Sequence, residues 1–122
     1  MESVLYAKSF EYAVETVKLN ENLVLKHKYE LGKQLLRSGT SVGANVAEAQ
    51  YAQSDSDFLS KLSIALKEAS ENRYWLKLSE EVGSISASDA QRMITRVDEL
   101  IKMLTASIKT VKSKKETTKT TK

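Results

Sequence analysis

A single histidine and the complete absence of cysteine limit the chemistry this 122-residue chain can perform. His27 lies between Lys26 and Lys28, a setting expected to leave it solvated. A serine protease-type triad needs a histidine held by a carboxylate beside a nucleophile, and one histidine among lysines is a poor start for it. Di-iron bundles use Glu-x-x-His pairs on facing helices, and the chain has no such pair. Without cysteine there is no thiol nucleophile, disulfide or cysteine-ligated zinc. Gly39 and Gly43 precede no Lys-Ser/Thr pair, and no Gly-x-Gly-x-x-Gly run occurs, so a phosphate-cradling loop is not expected. These residues predict a protein that is not an enzyme and uses no metal and no cofactor.

Two other groups of polar residues have spacing worth reading. Arg37, Ser41, Asn45 and Glu48 recur along one helical edge, and Glu68, Glu71 and Asn72 lie near the apolar stripe of the next helix. Polar groups beside a helix seam need partners. Arg37, Asn45, Glu48, Glu68 and Glu71 are therefore expected to form an interhelical polar network, the other reading being a binding pocket near Arg37 and Glu68. The second group is basic. Lys26, His27, Lys28, Lys33 and Arg37 cluster around one helix junction, and Lys109, Lys112, Lys114, Lys115, Lys119 and Lys122 mark the C-terminal segment. Lys26, Lys28, Lys33, Lys112, Lys114 and Lys115 are the candidate phosphate contacts, the alternative being a solvated, solubilising surface. The chain carries +3 overall, but the six lysines from 109 onward face only Glu116, which leaves residues 1–108 at −2. The basic pI belongs to that segment and is weak ground for nucleic-acid binding.

The elements that must position these residues are helices. The chain has no proline and four glycines, and it is long enough for one domain with a modest core. Ala90, Ile94, Val97, Ile101, Leu104, Ile108 and Val111 alternate spacings of four and three, with Met93 and Leu100 widening the face. Ser86 or Ser88 is placed to cap that last helix. A third helix begins at the cap candidates Ser54–Asp57, carries Phe58, Leu62, Ala65, Ala69, Asn72 and Leu76 inward, and ends at Gly83-Ser84. A second, near residues 29–52, turns Leu31, Leu35, Ser38, Val42, Val46 and Ala49 inward. Its middle, Ser38 to Ala44, is poor in helix formers, yet the apolar spacing runs through it, which predicts close approach of another helix. The first helix runs from about Ser3 to the mid-twenties, with Ala7, Phe10, Val14, Val17 and Val24 as its main inward face. Leu5, Tyr12, Leu19 and Leu23 form a narrower stripe opposite. One core cannot bury both, so Leu5, Tyr12 and Leu19, with Trp75, are candidate subunit contacts; ordinary exposed apolar residues are the alternative. The pattern predicts an all-α, antiparallel up-down four-helix bundle over residues 1–112, followed by a disordered Lys/Thr-rich tail at 113–122. Met1-Glu2-Ser3-Val4 does not read as a signal peptide and no apolar run reaches membrane-spanning length, so a cytoplasmic protein is expected, with no membrane partner.

The run from Gln34 to Ala49, centred on Arg37-Ser38-Gly39-Thr40-Ser41-Val42-Gly43-Ala44-Asn45-Val46, is distinctive. So is Ser54–Asp57 followed by Phe58, Lys61, Ile64, Lys67-Glu68, Glu71 and Tyr74-Trp75-Leu76. Together they resemble the bacterial four-helix bundle family named after the 23S rRNA intervening sequence, over about residues 3–110. The resemblance implies an up-down bundle that assembles as a homopentamer and has no attached enzymatic activity. The family name reflects gene location. A more distant similarity is to the accessory protein of diversity-generating retroelements, a pentamer with a basic surface that binds a reverse transcriptase and nucleic acid. The present motif matches that protein less well. The expected partners are thus other copies of the chain and RNA or an RNA-associated protein, the alternative being a purely structural or protein-interaction oligomer, such as an adaptor in a mobile-element system.

Overall fold

The computed structural model describes residues 3–120, and of residues 117–120 the backbone alone. Four helices follow in order: α1 Val4–Leu25, α2 Tyr29–Ala49, α3 Asp55–Glu81 and α4 Ala87–Thr120. Successive helices run antiparallel through short turns and pack α1 on α2, α2 on α3 and α3 on α4, the expected four-helix bundle. Helix α4 continues through residues 113–120, the part of the expected tail that is described; residues 121–122 lie outside the described residues.

Local chemistry sets the helix ends. The side chains of Ser3, Ser54 and Ser86 accept from the backbone N–H groups of Tyr6, Asp57 and Asp89, at 3.0, 3.1 and 3.0 Å. Each satisfies one of the donors a helix start leaves open. Helix α3 ends at Gly83, whose φ of 78° suits a residue without Cβ. There the Ser84 N–H donates to the Ser79 carbonyl at 2.8 Å and Gly83 N–H to Glu80 at 3.0 Å. This is the paired Schellman closure. The same closure ends α1, with Lys28 N–H donating to Leu23 and His27 N–H to Val24, but here the left-handed position is filled by His27 at φ 60°.

The core is a column of Leu35, Val42, Val46, Leu62, Ala65, Ala69, Leu76, Met93, Val97, Leu100 and Leu104, joined by side chains of α1. For α2, α3 and α4 these are the stripes read from the spacing. Helix α2 passes unbroken through Ser38–Ala44, and the small residues there admit α1. A Cβ on Gly39 would lie 2.6 Å from Thr16 side-chain atoms, and one on Gly43 would lie 3.1 Å from the Ser9 carbonyl oxygen.

Helix α1 corrects its expected orientation. Its buried residues are Ser9, Tyr12, Thr16, Leu19 and Leu23, with Leu5 half-buried beside them. Phe10, Val14, Val17 and Val24, expected inside, face solvent at 58%, 40%, 41% and 42% exposure, and Ala7 is exposed with them. The inward choice follows from packing. Positions 5, 9, 12, 16, 19 and 23 form an unbroken seam that places small Ser9 and Thr16 where α2 comes closest, whereas Glu21 interrupts the valine stripe. The buried hydroxyls of Ser9 and Thr16 are tolerated because both are bonded: Ser9 donates to the Tyr6 carbonyl at 3.0 Å and Thr16 to the Tyr12 carbonyl at 2.9 Å.

Candidate functional site

At the centre of the bundle a polar cluster links three helices. The Tyr12 hydroxyl of α1 donates to Asn72 Oδ1 of α3. Asn72 Nδ2 in turn donates to the Leu35 carbonyl at 3.2 Å and to Ser38 Oγ at 3.0 Å, both on α2. Ser38 Oγ donates onward to the Gln34 carbonyl at 2.7 Å. Tyr12, Ser38 and Asn72 are all buried. Burial, reinforced by the negative charges of Glu15 and Asp98, pushes the Tyr12 phenol above its ordinary range, so it stays neutral and keeps its donor. The cluster fixes which heights of α1, α2 and α3 meet. Sequence spacing placed Ser38 and Asn72 inward but missed Tyr12 as their partner.

Of the expected interhelical network, Arg37, Glu68 and Glu71 come together. The Arg37 guanidinium bonds Glu68 at 3.0 Å and also pairs with Glu71, whose Oε2 accepts from Trp75 Nε1 at 3.0 Å. Glu48 makes a separate bridge to Lys61 of α3 at 3.6 Å. Asn45 differs from expectation: its amide donates to the Ser41 carbonyl of its own helix at 2.9 Å. The Arg37 cluster sits at the surface, with the arginine side chain 46% exposed, and it ties α2 to α3.

The remaining ion pairs leave all four arginines engaged. Arg73 binds Asp98 at 2.7 Å, Arg96 binds Glu15 at 2.8 Å, and Arg92 binds Glu15 and Asp89 at 3.9 and 3.4 Å. With Lys8–Glu99, the Glu15 pairs bridge α1 to α4 along the sparsest seam of the bundle. Among the described residues no group of three or more His, Asp or Glu could hold a metal ion, and no helix is long and apolar enough to cross a membrane.

The two basic features lie at opposite ends. Lys26, Lys28 and Lys33 are exposed around the α1–α2 turn, beside a hollow lined by His27, Tyr29, Leu31 and Ser84. Tyr29 is largely exposed there, with its hydroxyl 2.7 Å from His27 Nδ1. Lys112, Lys114 and Lys115 belong to the other end, where Lys115 Nζ donates to Ser56 Oγ of α3 at 2.9 Å. At 1.5 Å per residue the 27 residues of α3 separate these ends by about 40 Å. The side chain of Lys119 and all of Lys122 lie outside the described residues.

The expected subunit contacts divide. Tyr12 and Leu19 are 1% and 5% exposed and belong to the bundle's own core, so they are not contact residues. Leu5 and Trp75 are half-buried against that core. The outward apolar face belongs instead to Phe10, Val14 and Val17. It continues into a groove of about 300 Å³ between α1 and α2, lined by Tyr6, Phe10, Ala13, Thr40, Gly43, Ala44 and Ala47. On α3, Ile64 and Tyr74 are also exposed, and the Tyr74 ring meets Trp75 edge-on at 5.2 Å.

Comparison with solved structures finds a close match in a crystal structure from Bacteroides thetaiotaomicron, described as a protein of unknown function from the S23 ribosomal protein family. The two are 45% identical with a TM-score of 0.85, and the match covers 87% of this chain and 99% of that one. No curated relative matches the sequence. The family model for the 23S rRNA-intervening sequence protein matches residues 1–106, which take in α1, α2, α3 and the first part of α4. The chain therefore belongs to the 23S rRNA-intervening sequence protein family.

Proposed function

We propose that the protein is a cytoplasmic, non-catalytic homo-oligomer, a ring of five bundles, that acts as a binding module for RNA or an RNA-associated protein. The observation that carries this reading is the outward face of α1. Phe10, Val14 and Val17 stand in solvent on the side opposite the core and adjoin an apolar groove. A contiguous surface of that kind suits a protein contact. The five-fold count comes from the family resemblance.

RNA as partner is supported by the lysines. Lys26, Lys28 and Lys33 have no ion pair among the described residues, whereas the arginines are all tied to carboxylates. Lysine ammonium groups bind phosphate as point charges and carry little base selectivity, so the binding would follow RNA shape and salt concentration. Copies arranged in a ring would multiply the field of each basic end. The near-neutral body of the chain favours a second reading, a protein-interaction oligomer without nucleic-acid affinity.

Light scattering on the purified protein tests the assembly, with a mass of several 13.6 kDa chains expected. A monomer at micromolar concentration rules the proposal out. Fluorescence anisotropy with a structured RNA, titrated at low and high salt, tests the partner. Affinity that falls steeply with salt supports RNA, and absence of binding at low salt leaves the protein-interaction oligomer.

A further inference from the structure

Within that assembly reading, on which this inference rests, the structure carries two apolar features that do not match themselves but do match each other. One is the α1–α2 groove, about 300 Å³ in volume and floored by the small residues Ala13, Gly43, Ala44 and Ala47. The other is the aromatic pair on α3, where Tyr74 is 60% exposed and its ring is braced edge-on by Trp75. Trp75 is itself anchored by its indole bond to Glu71, which Arg37 holds. The Tyr74 ring therefore loses little freedom on insertion.

The heights agree. Helices α1 and α3 run in the same direction, and the Tyr12–Asn72 hydrogen bond shows which of their residues lie level. The groove spans Tyr6 to Ala13 on α1, level with about residues 66–73 on α3. The Tyr74 backbone then stands about one helical turn above the middle of the groove. Helical side chains tilt toward the N-terminus of their helix, which for α3 is downward, into that level. The match holds for two bundles side by side with parallel axes. The groove opens on the α1–α2 side, Trp75 sits at the outer edge of the α2–α3 seam beside Glu71, and Tyr74 stands on the outward face of α3. Contacts between two different faces join copies head-to-tail, into a ring where the rotation closes and a filament where it does not, whereas a self-matching face stops at two copies.

We infer that Tyr74 of one copy seats in the α1–α2 groove of the next, against Phe10, Thr40, Ala44 and Ala47. The contact is head-to-tail, and Val14 and Val17 extend it above the groove. Tyr74 and Ala44 are both exposed, so Tyr74→Glu and Ala44→Trp leave the bundle core untouched. One variant spoils the knob and the other fills the groove.

Sedimentation velocity on wild type, each variant and their equimolar mixture tests the contact, with circular dichroism to verify helicity. Each variant alone is expected to sediment as a monomer. The mixture is expected to form a one-to-one dimer and nothing larger, because one intact knob meets one intact groove. If the wild type assembles but either variant assembles equally well, or the mixture remains monomeric, the assignment of the contact is overturned while the assembly reading survives. A monomeric wild type overturns both.

Discussion

At the scale of single residues, Tyr12 shows how burial governs both chemistry and stability. Its hydroxyl is needed by Asn72 Oδ1, so Tyr12→Phe leaves a buried acceptor short of its donor. The expected cost near neutral pH is about 1–3 kcal/mol. The phenol's raised pKa adds a pH signature. An unfolded tyrosine loses its proton near pH 10, while the buried one keeps it. Above that pH the unfolded state binds fewer protons than the native state, so the contribution of Tyr12 to stability falls as pH rises. Urea midpoints for wild type and Tyr12→Phe should converge above about pH 10; a gap independent of pH would contradict this. Gly39 makes a second residue-scale case. Gly39→Ala drives a methyl into Thr16 and should destabilise the fold by about 1–3 kcal/mol. Adding Thr16→Ala should recover part of that loss in a double-mutant cycle, whereas simple additivity would argue against the clash.

At the scale of elements, helix ends and seams explain what the sequence spacing conveyed and what it concealed. The capping serines and Gly83 were legible because their chemistry is local: a hydroxyl reaches an open N–H, and a glycine accepts a positive φ. The turn after α1 was harder to read because His27 occupies the position where glycine is favoured. His27→Gly should raise stability by up to about 1 kcal/mol, read as a higher thermal midpoint, by relieving left-handed strain. Loss of stability would mean that the Tyr29 hydroxyl contact outweighs it. The faces of α1 were inverted for another reason. Apolar counting favours the valine stripe, yet what enters the core is decided by fit against α2. Ser9 and Thr16 oppose Gly43 and Gly39 there, and the bulkier valines would not fit. The continuous four-three spacing from Leu5 to Leu23, counted with Ser9 and Thr16, was the signal available in the sequence.

At the scale of the whole molecule, the inverted α1 changes where association is expected. Tyr12 and Leu19 serve the bundle's core, and Phe10, Val14 and Val17 are left exposed. If folding and assembly are linked, the wild-type thermal midpoint rises with protein concentration. Phe10→Glu should abolish that dependence and leave the helical spectrum intact, because Phe10 contributes nothing to the buried column. A midpoint that rises equally in the variant would place the contact elsewhere. The 40 Å between the basic ends also means that one short RNA cannot bridge Lys26 and Lys115 of a single protomer.

The sequence by itself determined the helices, the serine caps of α3 and α4, the glycine end of α3, three of the four inward stripes and the family. These rest on periodicity, local backbone chemistry and motif spacing, all of which are written along the chain. Only the tertiary structure decided which face of α1 points inward, that Tyr12 completes the Asn72–Ser38 cluster, that Asn45 bonds within its own helix, and that the lysines divide between two ends. Those outcomes depend on which side chains meet across a seam, and shape complementarity between helices distant in sequence is a property of the pair and of neither partner alone.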